Sequence, residues 1–95
     1  MQQEETEKLL TIAAYLDAGI PDSQTTIQPF SSAFLFFVLT VRTAKKLYAL
    51  KVARSLIEDR NVSVSEIKRL MVRDDLPKKL QASNGEYVWN PIPVT

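Results

Sequence analysis

The side chains best equipped for chemistry in this sequence are its lysines, arginines and carboxylates, because histidine and cysteine are both absent. Without imidazole or thiol, the chain lacks the commonest general base, the sulfur nucleophile and the usual ligands of zinc, copper and haem iron. Asp74-Asp75 brings two carboxylates together, but calcium takes six to eight oxygens, and turn chemistry at a helix end accounts for such a pair. The two glycines, Gly19 and Gly85, stand far apart, so there is no glycine-rich loop to cradle a phosphate. Serines and lysines offer no base–orienter set by spacing. No metal, no cofactor and no enzymatic activity are expected.

What remains is binding chemistry. Ser65, Lys68, Arg69 and Arg73 recur at helical spacing, and Lys78 and Lys79 follow shortly after. Hydroxyl, ammonium and guanidinium groups on one helix are the donors that contact phosphate and base edges when a helix enters the major groove. Glu66, Asp74 and Asp75 offset part of that charge, and the net charge is only +1. The sign is spread unevenly. Residues 1–30 hold Glu4, Glu5, Glu7, Asp17 and Asp22 against Lys8, whereas residues 31–60 hold Arg42, Lys45, Lys46, Lys51, Arg54 and Arg60 against Glu58 and Asp59. Such halves attract each other within a fold or between copies, or steer an anionic partner. On a helical projection Arg42, Lys45, Lys46, Lys51 and Arg54 form no single stripe, so they read as a solvated exterior. A third set is apolar: Phe34, Phe36, Phe37 and Val38 lie in a run that, as a helix, is apolar all round and must be covered on every side. These four are the expected self-association residues.

The elements that would position these residues follow from periodicity. Leu9, Ile12, Ala13 and Leu16 share one face of a helix over 4–17. Glu4, Glu5 and Glu7 stand where the helix dipole favours anions. Gly19 stands at a left-handed C-cap and Pro21 forbids continuation. Residues 21–30 carry no period and read as a linker. The run 33–41 suits a buried strand or a buried helix. Helix is preferred because glycine, proline and asparagine are missing between Phe30 and Arg60, which gives a long or bent helix over 32–60, capped by Ser31 or Ser32. Ser63-Val64-Ser65-Glu66 is a capping box, flanked by Val62 and Ile67 as a hydrophobic staple, and it starts a helix over 64–73. Asn84-Gly85 is the preferred pair of a type I′ turn, which predicts a hairpin over 80–89 pairing Leu80 with Trp89, then an extended tail over 90–95. The competing reading is a short helix from Pro77 capped by Gly85, with only the last strand extended.

These elements compose one mainly α domain over residues 1–95, with a C-terminal β-hairpin. Helix, helix, then a two-stranded wing is similar to winged helix-turn-helix domains in element order alone. The leading expectation is a small DNA-binding module in transcription regulation, with double-stranded nucleic acid as partner. The alternative is a helical interaction module whose apolar surface docks a protein. A homodimer is expected on either reading. The apolar run 33–41 is too short for the ~20 residues of a membrane span, and no signal peptide is visible, so a cytoplasmic setting is expected.

Overall fold

The computed structural model describes residues 3–28 and 35–91. Helix α1 (Gln3–Gly19) forms on the predicted apolar spacing and buries Leu9, Ile12, Ala13 and Leu16. Its end differs from the expectation. Gly19 is not left-handed, since Gly85 is the one described glycine with positive φ. It is required instead for close approach: a Cβ there would stand 2.7 Å from Cγ of Pro77. The left-handed residue of the following turn is Asp22, at φ 55°.

Strand β1 (Gln24–Ile27) occupies the stretch predicted as a linker. Helix α1 seals its start. Asp17 Oδ1 accepts hydrogen bonds from the hydroxyls of Ser23 (2.8 Å) and Thr25 (2.7 Å), and Oδ2 accepts one from the Thr25 amide (3.4 Å).

The largest correction concerns 32–60. In place of a long helix the chain forms strands β2 (Phe36–Arg42) and β3 (Leu47–Ala53), followed by the short helix α2 (Arg54–Glu58). Aromatic and β-branched residues favour the pleated conformation, and period-two alternation lets each strand bury half its side chains. Phe37, Leu39 and Val41 of β2 turn inward, opposite Val52, Leu50 and Tyr48 of β3. The turn between them uses no glycine, proline or asparagine. Thr43 makes it with its side chain: Oγ1 accepts from the amides of Lys45 (3.3 Å) and Lys46 (3.0 Å) and donates to the Lys46 carbonyl (2.9 Å). A threonine hydroxyl can in this way replace the backbone bonds of a turn.

Helix α3 (Val64–Asp74) starts at Ser63, whose hydroxyl accepts from the Glu66 amide at 3.1 Å. Asp75, left-handed at φ 48°, ends it and turns directly into α4 (Leu76–Ala82), with Pro77 in the first turn. Strand β4 (Glu86–Trp89) follows. The predicted hairpin over 80–89 is therefore absent. A type I′ turn needs positive φ at both central residues, and Asn84 is not among the positive-φ residues. Leu80 belongs to a helix, and β4 pairs instead with β3, in parallel, from Ala49↔Glu86 to Val52↔Trp89.

The result is a four-stranded mixed sheet in the order β1-β2-β3-β4, not a mainly α domain, and no wing follows α3. Leu9, Ile12 and Leu16 from α1, Leu39 and Leu50 from the sheet, and Ile67, Leu70, Leu76 and Leu80 from α3 and α4 are all at most 1% exposed and form one core. Each such side chain contributes roughly 1.5–3 kcal/mol on burial.

Candidate functional site: the uncovered sheet face and the exposed cations

Strand alternation gives the sheet a second face, pointing away from the core. Along β2 it carries Phe36, Val38, Thr40 and Arg42, and register places these opposite Ala53, Lys51, Ala49 and Leu47 of β3. Gln24 and Thr26 of β1 extend the face on one side, and Glu86 and Val88 of β4 on the other. No described helix covers it. Leu47 is 56% exposed and Val88 47%, while Phe36, Val38 and Ala49 are half-buried by their neighbours. Two pairs of polar groups are tied to one another here. Lys51 pairs with Glu86 at 3.1 Å across the parallel strands, and Gln28 Nε2 donates to Thr40 Oγ1 at 2.7 Å. Apolar and polar groups are interleaved across this face: Lys51 lies between Val38 and Val88, and Thr40 lies beside Ala49.

The predicted self-association set is divided by this geometry. Phe36 and Val38 lie on the uncovered face, Phe37 lies in the core, and Phe34 lies outside the described residues. The predicted nucleic-acid set is exposed throughout: Ser65, Lys68, Arg69 and Arg73 on α3, and Lys78 and Lys79 on α4. Two of its cations are engaged within the chain. Arg69 reaches Glu66 at 2.8 Å and Arg73 reaches Asp74 at 2.8 Å. Lys78 stands apart from α3, in a groove between α1 and α4 that Tyr15, Gly19, Asp75 and Gln81 also line. Lys79 adds to the positive field on Asp74.

Asp74 joins α3 to the sheet. Its Oδ2 accepts from the indole Nε1 of Trp89 at 2.9 Å, and Trp89 is almost wholly buried. The hydrogen bond from Arg73 holds the Asp74 carboxyl below the ordinary carboxylate value; burial pushes the other way and the Trp89 bond reinforces the lowering. The same bond to Asp74 raises Arg73 above its ordinary value.

Sequence reasoning overlooked Lys8 and set Lys45 and Lys46 aside as a solvated helix exterior. Lys8 is 1% exposed, and its ammonium donates to the carbonyls of Ile57 and Asp59, both at 2.9 Å, with Glu4 at 3.8 Å. It satisfies carbonyls at the end of α2, where cations are favoured. Lys45 and Lys46, read as part of a helix exterior, project from the β2–β3 turn. Lys46 Nζ stands 3.5 Å from the Ser83 carbonyl and 5.2 Å from the centroid of the Tyr48 ring. The signal that finds this turn is the pair of alternating segments around Thr43, rather than any glycine or proline.

Among the described residues no group of three or more acidic side chains is placed to hold a metal ion, and no helix is long and apolar enough to cross a membrane. No family model, curated protein or solved structure matches the chain.

Proposed function

We propose that this chain is an assembly module that pairs with a second copy of itself, in the cytoplasm, through the uncovered face of its sheet. The observation that carries the reading is the presence of Phe36, Val38, Leu47, Ala49 and Val88 on a face that none of the described helices covers. Two physical arguments support it. All-parallel sheets are ordinarily covered on both faces, whereas antiparallel ones commonly leave one face solvated; the parallel β3–β4 pair of this mixed sheet has its helices on one face. A two-fold interface must also be self-complementary, and this face bears both signs of charge, in Lys51 and Glu86.

Size sets the strength of the pairing. Strands about 4.8 Å apart, rising about 3.3 Å per residue, make a patch of roughly 19 by 23 Å, on the order of 400 Å2. That is about half the roughly 800 Å2 per partner of a standard interface, so the dimer is weak and reversible. Sedimentation equilibrium over a concentration series tests this. A concentration-dependent dimer that disappears in Val38→Lys/Val88→Lys, and persists in Lys68→Ala/Arg69→Ala, supports the reading. A monomer at every concentration overturns it.

A further inference from the structure

We infer that the β2–β3 turn, together with Lys78 of α4, forms a separate surface for a nucleic-acid phosphate backbone. Three observations converge on it. Lys45 and Lys46 are adjacent; they are exposed and without an ion pair among the described residues, as are Arg42, Arg60, Lys68, Lys78 and Lys79, whereas Lys8, Lys51, Arg54, Arg69 and Arg73 have a carboxylate within 4 Å. The turn that carries them is fixed by its own hydrogen bonds. Thr43 binds both lysine amides through Oγ1, and its backbone amide donates to the Lys46 carbonyl at 2.9 Å. The Lys46 ammonium is directed further by the Ser83 carbonyl and the Tyr48 ring. A surface ordered before binding loses less entropy on binding.

The third observation is placement. Lys45, Lys46, Thr43 and Tyr48 line a groove of about 500 Å3 that ends on Gln81. Gln81 also lines the adjoining groove of about 390 Å3 that contains Lys78. Three ammonium groups thus line two neighbouring grooves that share one amide side chain, that of Gln81. Asp22 lies in the first groove and Asp75 in the second, leaving a small net positive charge over the two grooves together. Point charges in neighbouring grooves, with an amide donor between them, suit successive phosphates, which lysine contacts without reading sequence. Ala44 at the tip offers no bulky apolar side chain to enter a bilayer. This surface lies at the end of the sheet, and a monomer suffices for it.

The test is anisotropy of a short labelled duplex titrated with the full chain across a salt series. Three phosphate contacts give a log–log salt slope of about −2.7, or roughly fortyfold weaker binding between about 50 and about 200 mM salt. Lys45→Ala/Lys46→Ala changes two exposed side chains and is expected to keep the wild-type circular dichroism. It should weaken binding at low salt and flatten the slope to about −0.9. Lys68→Ala/Arg69→Ala should bind as wild type does. Three results overturn the proposal: no salt-sensitive binding at low salt, loss of binding in the α3 variant with the turn variant unaffected, or binding to phosphatidylserine vesicles without binding to the duplex.

Discussion

At the scale of single residues, two polar side chains hold the layers together. Lys8 reaches from α1 to the end of α2, and replacing it with methionine keeps the stem while stranding the carbonyls of Ile57 and Asp59. An unsatisfied buried acceptor costs about 1–3 kcal/mol, so Lys8→Met should lower the unfolding free energy by an amount in that range, read from the urea midpoint and slope. Asp74 ties α3 to Trp89 and binds Arg73 and Trp89 most strongly as a carboxylate. Its folded value lies below the ordinary 3.8, so its contribution is fully present above that value and is lost as pH falls through the lower folded one. Asp74→Asn should therefore be less stable than wild type at neutral pH, with the difference shrinking in acid. Urea unfolding followed by Trp89 fluorescence across pH reads this directly, and a difference independent of pH would contradict it. The lysine was hard to find in the sequence. Lys8 sits beside Glu7, just after the acidic first turn of α1, and looks solvated until the far chain arrives.

At the scale of elements, legibility followed the range of the interaction. Helices α1 and α3 are written locally, in the spacing of Leu9, Ile12 and Leu16 and in the Ser63 cap, and both form where those signals stand. The segment 32–60 is not written locally, because Ala49, Val52, Ala53, Leu56 and Ile57 satisfy a helical period. Tyr48, Leu50 and Val52 satisfy a strand period as well. The partner strand decides between the two, and the turn that admits it is made by one hydroxyl, that of Thr43. Strand β4 is harder still, since a parallel partner lies beyond three helices and leaves no mark in Asn84-Gly85. Gly19 also reads differently at this scale. A methyl group there gains little helix propensity at the last position and meets the ring of buried Pro77 at 2.7 Å. Overpacking of this kind costs about 1–3 kcal/mol, so Gly19→Ala should lower the thermal midpoint. An unchanged or raised midpoint would mean that α1 and α4 can separate without cost.

At the scale of the whole molecule, one helical layer on a four-stranded sheet leaves the other face as the surface that needs explaining. The sequence placed Phe36 and Val38 among residues that need cover, but it did so on a helix. The strand reading keeps those two on the surface and sends Phe37 inside. The predicted contact helix carries its cations outward, yet two of the four α3 residues in that set are paired within the chain, and no wing accompanies them. In the proposed dimer two sheets meet face to face, about 10 Å apart. Because the chain contains no cysteine, a single introduced thiol reports on one place only. The most direct measurement is covalent capture with a short bismaleimide of Ala49→Cys, in the middle of the uncovered face, beside Ser65→Cys on the exterior of α3. Dimer capture by Ala49→Cys and none by Ser65→Cys is the predicted result. Equal capture at both positions, or capture at Ser65→Cys alone, would contradict pairing through the sheet.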